Sequence, residues 1–179
     1  DMNWRQYEYL AAFCLYISGG QEIFVSRPGN EGGIDFGGLI DYFGRSSCVH
    51  PSTHKLRIVG QSKKYTTALN VSRIREMNDV MESVRKHSVE QAKHLPHKIK
   101  FGNGPIICWL TCHAGFQQGA DSIAAKHGML LSDSLSISEE LAVSKMVPYA
   151  RDSEVFLTNI LDVFNDFKNR LDRDGIISA

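Results

Sequence analysis

The spacing of apolar residues predicts an amphipathic helix at the start of the chain. From Trp4 to Ile17 apolar side chains recur every three or four residues, and Gly19-Gly20 then provides a helix stop. The next segments are short, rich in strand-forming residues and separated by polar or turn-forming positions, which predicts strands. Their predicted bounds are residues 22–26, 34–43 and 55–65, with the first two joined by a tight turn at Pro28-Gly29-Asn30.

Helical and strand patterns alternate in the second half of the chain. Residues 71–93 lack proline and glycine and carry apolar residues at helical spacing, whereas residues 105–111 form an unbroken apolar run typical of a central strand. The remaining predictions are a helix at 116–127, a strand at 129–131 and helices at 136–146 and 154–171. A meander followed by strand-helix-strand crossovers predicts an α/β fold, with a mixed sheet of about five strands flanked by helices.

The length and composition indicate one globular domain spanning residues 1–179. The chain has 42% hydrophobic residues, no apolar run of the roughly 18 residues that a membrane helix needs, and no signal-peptide pattern. We therefore expect a cytoplasmic protein without membrane association. Since the chain begins with Asp1 rather than methionine, we also expect it to be part of a longer protein that has an additional recognition domain or subunit.

The charge balance adds one restriction. Lysine plus arginine equals aspartate plus glutamate at 20 each, so the domain lacks an overall positive field. Six basic residues lie close together in sequence and predict a local basic face: Lys55, Arg57, Lys63, Lys64, Arg73 and Arg75. The four cysteines show neither a CxxC pair nor a dense framework, which favours reduced thiols.

Two segments on adjacent predicted strands carry the candidate chemistry, GGIDFGG around Asp35 and VGQSKKY from residue 59. Hydrolysis of a phosphodiester needs a divalent cation held by oxygen ligands, an activated water, and positive charge near the phosphate. Asp35 can bind the cation. The two-residue period of a strand places Gln61 and Lys63 on one face, where Gln61 can offer a carbonyl oxygen and Lys63 can orient the water.

These motifs, in this order, resemble the Mrr-like restriction endonucleases of the PD-(D/E)xK nuclease superfamily. The resemblance covers most of the chain. It consists of Tyr7-Glu8 on the first helix, Gly-Gly-Ile-Asp35 after a turn, Gln61-Ser62-Lys63-Lys64-Tyr65 at a strand end, and a later segment formed by a strand followed by AGFQQGADSIAAKHGMLL. It implies a restriction-endonuclease-like fold in which the later segment packs as strand, helix and strand behind the catalytic sheet.

The resemblance also implies the site. Catalytic roles fall on Glu8, Asp35, Gln61 and Lys63, and the metal ligands would come from Asp35, Gln61, Ser62 and Glu8. The metal would be Mg²⁺, with Mn²⁺ as a substitute. Glutamine at position 61, where many relatives have glutamate, removes one charge and makes a second carboxylate more necessary. Glu8 is preferred for that role over Glu31.

The resulting prediction is a metal-dependent endodeoxyribonuclease, a type II/IV-like restriction hydrolase that serves as the DNA-cleavage domain of a restriction or anti-phage defence protein. Two alternatives stay open: a structure-specific nuclease of repair or recombination, and a nucleic-acid-binding module of the same fold that does not cleave. Assembly as a homodimer or higher oligomer is also open.

Other clusters have simpler explanations. Two clusters of cysteine and histidine lack zinc-finger spacing. We interpret the first as a polar loop (Cys48, His50 and His54) and the second as part of a buried strand (Cys108, Cys112 and His113). A DNA contact at Thr111 to His113 is a minor alternative. The last helix carries an apolar stripe, which favours core packing over a dimer surface: Phe156, Ile160, Phe164, Phe167 and Leu171.

Overall fold

The computed structural model describes residues 2–29, 32–41, 55–86, 94–102 and 104–177. The first half contains one helix and three strands: α1 (Trp4–Ile17), β1 (Gln21–Val25), β2 (Phe36–Asp41) and β3 (Lys55–Lys63). The second half alternates helices and strands: α2 (Val71–Arg85), α3 (His97–Phe101), β4 (Ile106–Cys112), α4 (Ala120–Lys126), β5 (Met129–Asp133), α5 (Ser134–Val143) and α6 (Ser153–Asp174).

The five strands form one mixed sheet in the order β1-β2-β3-β4-β5. The first three pair antiparallel, whereas β3, β4 and β5 pair parallel through the helical crossovers. This confirms the predicted α/β architecture with a five-stranded mixed sheet flanked by helices. The later segment forms strand, helix and strand as expected, β4, α4 and β5, but both strands lie in the same sheet as β3 rather than behind it.

The sheet separates two apolar layers, because successive strand residues face opposite sides. In β3, Ile58 packs with α1, α5 and α6, whereas Val59 packs with α2 and α4. The apolar stripe of α6 is confirmed as core at Phe164, Phe167 and Leu171, which are buried. The ring of Phe13 in α1 contacts Phe164 edge-on and Phe167 at a tilt.

Glycines in β2 and β3 allow close contacts with the backbone and side chains of neighbouring residues. A Cβ on Gly60 would lie 2.2 Å from the ring of Phe36, and a Cβ on Gly37 would lie 2.4 Å from the carbonyl oxygen of Ile58. Close packing therefore explains why glycine stands at both positions. Cys14, Cys108 and Cys112 are buried free thiols, and burial raises the pKa of Cys14 and Cys108 to about 12.

Several predicted boundaries need correction. The predicted tight turn between the first two strands is wrong, since their last pair is Val25 with Phe36 and ten residues lie between them. The described part of α2 ends at Arg85, and residues 87–93 lie outside the described residues. The helix predicted from residue 116 begins at Ala120, after a turn. The sequence reading missed α3 altogether. Within the described ranges, no helix is long and apolar enough to cross a membrane.

Candidate active site

The candidate residues meet at one edge of the sheet. Because β3 and β4 are parallel, their carboxyl ends, at Lys63 and Cys112, lie side by side. The antiparallel strand β2 begins at the same edge, where Phe36 pairs with Gly60. Helix α1 also begins there, after a capping box between Asn3 and Gln6. Topology therefore brings residues that are distant in sequence to one edge.

Asp35 is fixed by its backbone and its side chain. Its N–H donates to the carbonyl of Gly60 at 2.8 Å, and its own carbonyl accepts from the N–H of Ser26 at 2.8 Å. Its carboxylate oxygen Oδ2 accepts from the N–H of Ser62 at 2.8 Å. Burial raises the pKa of Asp35, while the Ser62 N–H and the charge of Lys63 act in the opposite direction. The second oxygen, Oδ1, is the one that can face a cation.

Glu8 reaches the same place from α1, although only 7% of its surface is exposed. Burial raises its pKa, and so does the negative charge of Asp35, whereas Arg5 and Lys63 lower it. Arg5 Nη1 donates to Glu8 Oε2 at 2.6 Å and to the carbonyl of Ser26 at 2.7 Å. A buried carboxylate with a raised pKa is a group that gains from a nearby cation.

Gln61 and Lys63 lie on the same face of β3, the one that carries Val59 and packs against α2. Gln61 Nε2 donates to the carbonyl of Gly33 at 3.0 Å, which leaves its Oε1 as the atom that can serve as a ligand. Lys63 acts electrostatically on both Glu8 and Asp35. The structure thus brings the four predicted catalytic residues to one edge; their catalytic roles stay a prediction.

Ser62 faces the other side of β3. Its hydroxyl is buried, 2.7 Å from Thr111 Oγ1 and 3.3 Å from the Tyr7 carbonyl oxygen, to which it can donate. Since the N–H of Ser62 is also engaged, by Asp35, only its carbonyl oxygen is left to contact a metal. The predicted contribution of Ser62 to a metal site can therefore come only from its backbone.

The donor set fits a hard divalent cation. Glu8 and Asp35 offer carboxylate oxygens and Gln61 offers an amide oxygen, the ligand types that Mg²⁺ and Mn²⁺ prefer. Among the described residues there is no group of three His, Cys, Asp or Glu side chains that could hold a metal. The amide of Gln61 would therefore have to supply the third side-chain ligand.

A cleft of about 180 Å³ opens beside Glu8 and Asp35, and Arg5 and Arg27 also line it. Arg27 is exposed on the segment that follows β1. Arg5 and Arg27 also line a larger neighbouring cavity of about 1020 Å³ that extends to Tyr9 and Asp172. Two positively charged side chains, Arg5 and Arg27, therefore border the cleft.

The predicted basic face is wrong in part. Lys55 begins β3 and Lys63 ends it, so at about 3.3 Å per residue they lie roughly 26 Å apart. Arg57 is directed to the far edge, where it donates to the carbonyls of Gly104 and Ile99. Lys64 donates to the carbonyl of Met2, beside the start of α1.

The structure also bears on the Cys/His clusters that were weighed as zinc sites. Cys108 and Cys112 are buried on the α2 side of the sheet, and His113, the next residue, is exposed, so these three do not form a zinc site. Glu31, Cys48, His50 and His54 lie outside the described residues.

The sequence analysis did not identify Arg5 and Arg27 as residues of the candidate site. Arg5 could have been found, because residues three apart on a helix are neighbours and Arg5 precedes Glu8 by that distance. Arg27 carried no comparable signal, since its place depends on how the segment after β1 passes Asp35.

The chain was compared with protein families, curated proteins and solved structures. No protein-family model and no curated protein matches the chain. Among solved structures, the MspJI restriction endonuclease in complex with a 27-mer oligonucleotide has a TM-score of 0.48 and 18% sequence identity. The likeness covers 87% of this chain and 31% of that one, so this chain spans less than a third of its length.

Proposed function

We propose that this domain is a metal-dependent endodeoxyribonuclease that hydrolyses phosphodiester bonds at the sheet edge where β2 begins and β3 ends. One observation carries the proposal: the charges of Asp35 and Lys63 both act on the pKa of Glu8, Lys63 also acts on the pKa of Asp35, and Gln61 lies on the same strand as Lys63. Two buried carboxylates, an amide oxygen and a lysine are the groups that this reaction requires.

Each side chain has a distinct role in the proposed reaction. Asp35, Glu8 and Gln61 would hold Mg²⁺, and this cation would supply Lewis-acid activation of the attacking water and of the phosphate. Lys63 orients the attacking water and places positive charge against the phosphate as its negative charge increases. Arg5 balances the charge of Glu8 and anchors it against Ser26, so that the carboxylate keeps its position.

DNA is the proposed substrate because the site lies at an open edge rather than in an enclosed pocket. Two cationic side chains are available there for phosphate contacts: Arg27, which lines the small cleft, and Lys63, which ends β3. Contacts of this kind neutralise backbone phosphates without reading the sequence. We therefore assign base recognition to another domain or subunit of a longer protein.

The finer role that we propose is cleavage in a cytoplasmic restriction or anti-phage defence system, with Mn²⁺ able to replace Mg²⁺. For a homo-oligomer or a domain interface we point to Leu157 and Leu161, which are exposed one helical turn apart on α6. A repair or recombination nuclease would use the same residues on branched rather than linear DNA. Comparing linear, nicked and branched substrates distinguishes these two roles.

Plasmid cleavage by the longest available form of the protein tests the proposal. Supercoiled DNA should be converted to nicked or linear forms with Mg²⁺ or Mn²⁺, and not with a chelator. The Asp35→Asn variant, purified in parallel, should leave the plasmid intact. Binding of DNA without cleavage under every metal condition would support the non-cleaving alternative and overturn the proposal.

A further inference from the structure

The carboxyl end of β4 places an exposed histidine next to Lys63. The backbone N–H of His113 donates to the carbonyl oxygen of Lys63 at 3.0 Å, so parallel pairing continues one residue past the end of β4. Neighbouring strands lie about 4.8 Å apart, so His113 is one strand away from the catalytic lysine. The two residues before it, Thr111 and Cys112, are buried and cannot contact DNA.

Two contacts hold the imidazole ring of His113. Its Nδ1 lies 2.7 Å from Ser134 Oγ, at the start of α5. Its edge meets the ring of Tyr7, with centroids 6.1 Å apart and planes at 80°. Tyr7 belongs to α1 and is itself buried in the core, which makes it a rigid support.

This arrangement leaves Nε2 as the nitrogen that can bind a ligand. When the Ser134 hydroxyl donates to Nδ1, the hydrogen of the neutral ring lies on Nε2, which is then a donor. The nearest strand-end carboxylate, Asp133, is occupied in capping α5, where its Oδ1 accepts from the N–H and the hydroxyl of Ser136, each at 2.8 Å. The His113 ring is thus fixed at the edge of the proposed site, and its Nε2 is a hydrogen-bond donor in the tautomer in which Ser134 donates to Nδ1.

We propose that His113 donates a hydrogen bond from Nε2 to a DNA backbone phosphate adjacent to the one that is cleaved. This inference rests on the proposed nuclease function and extends it by selecting His113 from the minor alternative of a DNA contact at Thr111 to His113 and naming its partner atom. His113 positions the strand and takes no part in the chemical step. Ser134 and Tyr7 are positioning residues that act through the His113 ring.

The test combines a variant with a modified DNA. Once the cleavage position in a short duplex is known, DNA affinity is measured by fluorescence anisotropy with a chelator present. His113→Ala should weaken binding by about fivefold, the effect of losing one hydrogen bond. The single-turnover cleavage rate at saturating protein should change by less than about threefold. His113→Gln, which retains a side-chain N–H donor, should recover most of the affinity.

A neutral methylphosphonate placed at each phosphate beside the cleaved one identifies the partner. At one position the substitution should weaken binding of the wild-type protein but not of His113→Ala. His97→Ala is the matched control, because His97 is exposed on α3 near the start of β4 at the far edge. It should behave like the wild type.

Two results would overturn the inference: unchanged affinity of His113→Ala, or equal methylphosphonate penalties in both proteins at every position. If the wild-type protein cleaves DNA and His113→Ala binds normally, only the inference fails. If the wild-type protein cleaves no DNA with any metal, the proposed function fails first.

Discussion

Asp35 Oδ2 accepts a hydrogen bond from the backbone N–H of Ser62 at 2.8 Å. This bond joins the residue before β2 to the middle of the Gln-Ser-Lys motif. It holds the aspartate next to the two strand residues with which it is proposed to act. The relationship has consequences for activity and for stability, because the carboxylate is buried and its pKa is raised.

Asp35→Asn should abolish cleavage and stabilise the metal-free protein. The amide oxygen can still accept from Ser62, while the unfavourable burial of a charge is removed. We expect a gain of about 1 kcal/mol, or about 2–4 °C in melting temperature for a chain of this length. Thermal unfolding with a chelator measures it.

Asp35→Ala is the matched variant, because it removes the charge and the acceptor together. It should also be inactive, yet gain less stability than Asp35→Asn, since the N–H of Ser62 loses its partner. A lower melting temperature for Asp35→Asn than for the wild type would contradict the conclusion that burial of the Asp35 charge is unfavourable.

The stability of the metal-free protein should depend on pH in a specific direction. Burial raises the pKa of Asp35 above its ordinary value, so the folded state binds this proton more tightly than the unfolded chain does. The contribution of Asp35 to the free energy of unfolding must then decrease as pH rises from the ordinary to the raised pKa. Comparing the wild type with Asp35→Asn across this window isolates the contribution. Parallel pH curves for the two proteins would count against it.

The buried pair of Ser62 and Thr111 should stabilise the sheet beneath the site. Their hydroxyl oxygens are 2.7 Å apart, and Thr111 is fully buried. Ser62→Ala should cost about 1–3 kcal/mol, because Thr111 is left without this partner. The double variant with Thr111→Val should cost less than the sum of the two single variants. Denaturant unfolding measures this coupling, and simple additivity would show that the contact contributes nothing.

A metal ion should be able to replace Arg5 in balancing the negative charge of Glu8. Arg5→Ala leaves Glu8 buried without its 2.6 Å partner and should destabilise the metal-free protein by about 1–3 kcal/mol. Added Mg²⁺ should then raise the melting temperature of Arg5→Ala more than that of the wild type, because the cation replaces the missing charge. Arg173→Ala, which removes an exposed arginine on α6, is the control. Equal metal effects in all three proteins would exclude Glu8 as a ligand.

Much of the fold could be predicted from residue periodicity. The pattern over Trp4 to Ile17 gave α1 with its observed bounds, and the alternation in β3 correctly placed Gln61 and Lys63 on one face. Asp35 and Lys63 could be brought together because two short antiparallel strands must align their ends. The five-residue helix α3 was missed, since one turn is too short for a periodic signal.

Features set by tertiary contacts could not be predicted in this way. The sequence analysis grouped Lys55 and Arg57 with Lys63 in one basic face because they are close in sequence. The extended strand separates them. The difference between the buried Cys112 and the exposed His113 depends on the register of β4 against β3. The contact of Arg5 with the Ser26 carbonyl depends on the path of the chain after β1.

The role of Lys63 is the centre of the proposed mechanism, and Lys126 offers a control. Lys126 is exposed at the end of α4, before β5 begins, and therefore lies at the opposite edge of the sheet. Lys64 is a poorer control because its ammonium group donates to the Met2 carbonyl. Loss of a simple phosphate contact by Lys64 would reduce the salt dependence of DNA affinity by about one unit.

Single-turnover DNA cleavage at saturating protein, with Mg²⁺ present, tests the account most directly because it separates chemistry from binding. Lys63→Ala should cut at least about a hundredfold more slowly than the wild type, the scale expected when one preorganised electrostatic group is lost. Lys126→Ala should cut at the wild-type rate. Equal rates for Lys63→Ala and the wild type would contradict the proposed mechanism.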